Sequence, residues 1–269
     1  MLNTEKRNPN TINIDKMSSL EMVKAMQVEN YNSVKAIETE ISSIALAIDE
    51  ISSRMKDGGR LFYVGCGTSG RLGVVDAAEC PPTFGVDKGV VNGIIAGGHK
   101  TMVAASEDAE DNYNDGYNVL DDYSINEKDS VVGISVAGGA EYVYGAINKA
   151  KEKGALTIGL TCNEGSKIDE CSDIKIHPNT GAEVITGSTR LKAGSAHKMI
   201  LNMISTCVMV KQGYVYENLM INLRPSNKKL RDRMIRIVSD ITNESLENSE
   251  KLLNDNDFVI RTAVENYGK

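Results

Sequence analysis

Residues 60–71 read Arg-Leu-Phe-Tyr-Val-Gly-Cys-Gly-Thr-Ser-Gly-Arg. Arg60 to Val64 is a short apolar run of strand length, and a glycine-rich loop follows at once. A helical pattern then carries Leu72 to Glu79. It is expected to end before Pro81-Pro82, because proline drives the residue ahead of it out of the helical region. Strand, tight loop, helix is half of a parallel βαβ unit, and the pattern recurs along the chain. Further strand-like runs stand at 90–96, 130–136, 156–161 and 174–177, with helical segments between them, notably 142–153. Strands alternating with helices predict an α/β fold with a doubly wound parallel sheet flanked by helices.

Outward from that centre, residues 1–16 read as an extended arm carrying Asn8-Pro9. A first helix is expected after Ser18 or Ser19, either of which can cap it, with Leu20, Met22, Val23 and Met26 as its apolar stripe. A second is expected from about Ser33 to Met55, stopped by Asp57-Gly58-Gly59. On the other side a long helix is expected from about Ser188 to Gly213. Beyond Leu230, three arginines (231, 233, 236) precede an acidic, Asn-rich stretch, which reads as a small helical appendage. The expected division is therefore N-terminal arm and helices over 1–56, an α/β domain over 57–228, and the appendage over 229–269.

Composition narrows the function. The 269 residues hold 30 basic and 37 acidic side chains, a net charge of -7. That argues against a nucleic-acid binder, which needs a basic surface. It does not argue against one small anion held by a few fixed donors. The N-terminus lacks an apolar signal segment and no apolar run reaches membrane-spanning length, so no membrane partner is expected. The five cysteines form no C-x-x-C pair and suit free thiols in a reducing cytoplasm. His99, His177 and His197 have no zinc-ligand spacing, so no metal is expected.

Four strings can carry chemistry. In Gly65–Arg71 the glycines permit close backbone approach, the following helix start offers unpaired N–H groups, and Thr68 and Ser69 add hydroxyls. Gly67, Thr68, Ser69, Gly70 and Arg71 are therefore candidates for holding a phosphate; the same string read alone is also an ordinary capping turn. Ser135-Val136-Ala137-Gly138-Gly139-Ala140 is a second strand-to-helix loop at the sheet edge where ligands bind in such folds, making Ser135, Gly138 and Gly139 candidates. Glu79, Glu107 and Glu110 follow strands, and paired carboxylates can serve as general acid and base; Ser106–Asp111 also has the composition of a solvated helix start. Finally, Ser188, Thr189, Arg190 and Lys192 open the long helix. Cations at a helix start oppose its dipole and point to an anionic partner.

Together these strings resemble the N-acetylmuramic acid 6-phosphate etherase family of the sugar-isomerase (SIS) domain superfamily. The resemblance rests on residues 8–23, 65–85, 106–112, 186–206 and 218–230 and spans nearly the whole chain. It implies cleavage of the D-lactyl ether of N-acetylmuramic acid 6-phosphate to N-acetylglucosamine 6-phosphate and D-lactate. The implied route is elimination followed by hydration, with no metal or organic cofactor. It implies Glu79 as the general acid and Glu110 as the base at C2, with phosphate on the Thr68–Ser69 loop. It also implies a homodimer with sites near the subunit interface. The chain departs from the family at 136–140, where Val-Ala-Gly-Gly-Ala replaces Ala-Ser-Gly-Arg-Thr, and Glu141 replaces a proline. That loop is closer to the one in the related glucokinase regulatory protein, so the alternative is a non-catalytic phosphosugar-binding regulatory protein. The C-terminal appendage is also shorter than the family's.

Overall fold

The computed structural model describes residues 2–104, 108–225 and 227–267. Its elements run α1 (Ser19–Glu38), α2 (Ile41–Lys56), β1 (Leu61–Gly65), α3 (Gly67–Phe84), β2 (Val91–Ile95), α4 (Tyr113–Val119), β3 (Ser130–Ile134), α5 (Glu141–Glu152), β4 (Leu156–Leu160), α6 (Lys167–Cys171), β5 (Ile174–Ile176) and α7 (Lys192–Lys211). A short hairpin follows, β6 (Val215–Tyr216) with β7 (Leu219–Met220), and then α8 (Lys228–Thr242), α9 (Leu246–Asn254) and α10 (Ile260–Asn266).

The five long strands form one all-parallel sheet in the order β2-β1-β3-β4-β5. Every residue of β1, β3 and β4 is buried, which is why they read as continuous apolar runs rather than alternating ones. Side chains alternate between two cores. Tyr63, Val132 and Ile158 face α2, α3 and α7 through Ile44 and Ile51, Ala77 and Cys80, and Ile200 and Ile204. Phe62, Val64 and Val131 face α5 through Val143 and Ile147. The doubly wound sheet predicted from sequence is the fold observed. Strand order reverses between β1 and β3, so the loops leaving those two strands part and open a crevice at the carboxyl edge.

Three local expectations are corrected. The break between the first two helices falls at Thr39-Glu40, because the buried Glu40 turns inward to accept from the His177 backbone N–H at 3.0 Å. The stripe expected to bury α1 is largely outside. Leu20 and Val23 are exposed, while Glu29, Ser33, Ala36 and Ile37 form the buried face. And α3 runs through Pro81-Pro82 to Phe84, forgoing the two hydrogen bonds that proline cannot donate, until Gly85 turns left-handed at φ 65 and closes it onto Pro81 O. Ser18 does cap α1, in a reciprocal box with Glu21. Such a cap is worth about 1 kcal/mol.

Helices α8–α10 close a separate core of Met234, Ile237, Val238, Leu253, Ile260 and Ala263, joined by Ile221 and Leu223 from the segment behind the hairpin. The Asn222 side chain anchors that segment, donating to Phe84 O at 2.7 Å at the end of α3. No described helix is long and apolar enough to cross a membrane.

Candidate functional site

The crevice between β1 and β3 contains a cavity of about 200 Å³. Its floor is Cys66, Ile134 and Ser135; Gly67, Thr68 and Ser69 open α3 on one side, and Val136, Ala137 and Ala140 stand on the other. Gly187, Thr189 and Gly194 form the wall nearest α7, and Glu5 and Glu110 complete the lining. Two glycines make the floor possible. A β-carbon on Gly70 would sit 2.5 Å from Gly65 O, so only this pair lets α3 start directly on the end of β1.

The structure thus unites Gly67, Thr68, Ser69, Ser135, Thr189 and Glu110 in one cavity. Glu110 is held there by its backbone carbonyl, which accepts from Tyr142 N–H at 3.0 Å. Burial, with Asp111 beside it, raises its carboxyl above the ordinary glutamate value. Burial also pushes the Cys66 thiol up to about 12, helped by Glu110 and Asp111, so Cys66 is a neutral wall and no nucleophile.

Other predicted residues lie elsewhere. The Arg71 guanidinium is engaged by three backbone carbonyls, of Thr101, Met102 and Ala104, and so braces that loop. The Lys192 ammonium is buried against Glu29 at 2.5 Å and is not free for a ligand. Glu29 itself is buried, which opposes its ionisation, but hydrogen bonds from Lys192, Asn10 and Asn8 outweigh this and take it down to about 2. Gly138, at φ 75, turns its α-carbon toward Ser166, and its N–H is used by Ser135 Oγ at 3.2 Å. Gly139 faces open space and Ser188 lies in the turn before α7. Arg190 lines a second cavity with Lys198 that shares Thr68 and Gly194 with the first. Glu79 is exposed on α3, twelve residues beyond Gly67, which is about 18 Å along a helix. Glu107 lies outside the described residues.

Two residues escaped the sequence reading. The fully buried Glu183 accepts from the N–H groups of Lys192 and Ala193 at 3.0 and 2.9 Å. It caps α7 and thereby removes that helix start as an anion site. Glu5 enters the cavity from the N-terminal arm. No local pattern marks either residue: Glu183 meets its partners nine and ten residues on, across a loop, and Glu5 meets the cavity wall near Gly187.

Residues 43–151 match the family model of the glucokinase regulatory protein N-terminal SIS domain, and residues 102–207 match that of the SIS domain. The chain is 52% identical over 261 residues to an N-acetylmuramic acid 6-phosphate etherase of Caldanaerobacter subterraneus subsp. tengcongensis, covering 97% of this chain and 85% of that one. It is 49% identical to the etherase of that name from Clostridium beijerinckii, covering 98% and 86%. Among solved structures, it superposes on a phosphoheptose isomerase from Neisseria gonorrhoeae with a TM-score of 0.54 at 20% identity, covering 71% of this chain and 98% of that one. A phosphoheptose isomerase from Francisella tularensis gives 0.52 at 14% identity, covering 71% and 98%. At those identities the structural likeness establishes the fold alone.

Proposed function

The chain belongs to the N-acetylmuramic acid 6-phosphate etherase family, and from that membership we propose that its β1/β3 cavity cleaves the D-lactyl ether of N-acetylmuramic acid 6-phosphate. The observation that carries the reading is the meeting, in one cavity, of a hydroxyl-bearing helix start with a carboxylate of raised pKa. Thr68 and Ser69, at the first turn of α3, and Ser135 opposite them would take the 6-phosphate. With the sugar ring open, the C1 aldehyde acidifies the proton on C2. Glu110 removes that proton, the C3–O bond breaks, and the lactyl oxygen leaves with a proton from the general acid. Water then adds across the C2–C3 double bond, placing hydroxyl on C3 and a proton on C2. The products are N-acetylglucosamine 6-phosphate and D-lactate. Arg190, at the adjoining cavity, suits the lactyl carboxylate.

Glu79 is the acid in this scheme. Three turns of helix separate it from the cavity of its own chain, so it can act only from a second copy. Leu20, Val23, Tyr31 and Val34 are more than half exposed on the α1 face opposite its packed one, and Val75 is exposed on α3 one turn before Glu79. Apolar surface of that extent fits burial in a homodimer. Cytoplasmic location fits the five free cysteines. Similarity to etherases over nearly the full chain favours this reading over a regulatory phosphosugar-binding protein, despite the altered loop at 136–140.

Incubation with N-acetylmuramic acid 6-phosphate should release D-lactate. In deuterated solvent the product sugar should carry deuterium at C2. Glu110→Gln should lower the rate by about 10²–10⁴ and abolish C2 exchange, which Glu79→Gln should leave intact. Absence of lactate together with tight binding of a hexosamine 6-phosphate would overturn the etherase reading in favour of the regulatory one.

A further inference from the structure

The cavity's roof comes from the far end of the chain. Glu5 sits in a 3-10 turn (Asn3–Glu5) and lines the cavity, with its Oε2 3.3 Å from where a β-carbon on Gly187 would stand. Gly187 therefore leaves the space that Glu5 enters. The arm is held firmly to the segment that carries this wall. Asn8 Nδ2 donates to Ala182 O at 3.1 Å, and Thr11 Oγ1 donates to Val184 O at 2.8 Å. Asn10 Nδ2 donates to Glu29 Oε1 at 2.8 Å, and Glu29 in turn holds Lys192. Thr4, next to Glu5, is fully buried. The carboxyl is thus carried on a fixed strap.

The lining restricts what that carboxyl can do. Glu5 and Glu110 are both acids, and among the described residues no Lys, Arg or His lines the cavity. A phosphate beside Glu5 would meet a like charge. A carbohydrate presents hydroxyl donors, for which a carboxylate is a strong acceptor. The phosphate donors Thr68, Ser69 and Ser135 lie at the strand-end loops, whereas Glu5 lies at the Gly187 wall. We propose that Glu5 is a substrate-binding, specificity-determining residue that accepts hydrogen bonds from the sugar's hydroxyl groups while the phosphate occupies the Thr68–Ser69 loop. This rests on the reading of the cavity as a phosphosugar site.

Calorimetric titration of the full chain with N-acetylglucosamine 6-phosphate and, separately, with inorganic phosphate tests it. Glu5→Ala should weaken the sugar phosphate about tenfold or more, as expected for a hydrogen bond to a charged group. It should leave the affinity for inorganic phosphate unchanged. Glu5→Gln keeps one acceptor and the side-chain volume and should give a smaller loss, which also guards against a folding defect in the alanine variant. Equal sugar-phosphate affinity in wild type and Glu5→Ala overturns the proposal. So does a parallel loss for both ligands, which would mean a general disturbance of the site. If the wild type binds neither ligand, the phosphosugar reading itself fails and this inference falls with it.

Discussion

A base that takes a proton from carbon gains from a site that solvates its charge poorly, and the Glu110 carboxyl, the base of the proposed scheme, has such a site. Burial raises its pKa first, and the negative charge of Asp111 raises it further. A base must be ionised to act, so lactate release should fall off as pH drops through a value above the ordinary glutamate range. Replacing Asp111 with Asn removes a like charge, stabilises the carboxylate and should move that acid limb to lower pH; a pH–rate profile of the two proteins checks it. An unmoved limb would mean that another group sets it. Glu110 lines the cavity, as the family resemblance leads one to expect, whereas its acidic string alone reads equally well as a solvated helix start. Lys192 was misread because its partner Glu29 is 163 residues away, and the string around it shows only a cation at a helix start. Glu5 was not legible at all, since Thr4-Glu5-Lys6 has nothing to distinguish it from any polar arm.

Among the elements, the strands were the most readable, because strands buried on both faces must be apolar throughout and their loops must carry glycine. Helix ends were less so. The α1–α2 break depends on Glu40 meeting His177 across 137 residues, and the end of α3 depends on Gly85 rather than on the prolines before it. The most exacting joint is the one that ties α1, α7 and the arm. Glu29 and Lys192 are each 2% exposed as side chains. Breaking such a pair from one side leaves a buried unpaired charge, so Glu29→Gln should lower stability by about 3–5 kcal/mol, readable by urea unfolding. The pH dependence has a definite sign. Because the folded-state pKa of Glu29 lies below its ordinary 4.5, at about 2, its stabilisation is present above 4.5 and is lost as pH falls toward 2. Glu29→Gln should flatten the acid-unfolding curve over that window.

For the whole molecule, the parallel sheet was legible from alternation alone, but the strand order that opens its crevice and the completeness of the site were not. Sequence placed Glu79 and Glu110 in neighbouring motifs; the rise of a helix keeps them apart within one chain. A pair of inactive variants tests whether two copies share a site. Glu79→Gln and Glu110→Gln mixed and reassembled at random should regain about a quarter of wild-type activity, because half the dimers are mixed and each mixed dimer has one intact site. No recovery, with exchange confirmed by mass, would place the acid elsewhere. A charge in the α1 stripe, Val23→Glu, should shift the molecular mass in solution toward the monomer and lower activity with it. The strap over the cavity has a consequence for how the protein is made. Its anchors at Asn8 and Thr11 join residues 174 and 173 positions further along the chain. During synthesis the arm, which leaves the ribosome before the sheet, must therefore wait, unpaired, while the sheet is built. A nascent chain released short of Ala182 has the sequence of all five long strands and lacks both the wall and its fastening. Catalytic competence should thus appear late and abruptly, after the framework has already formed.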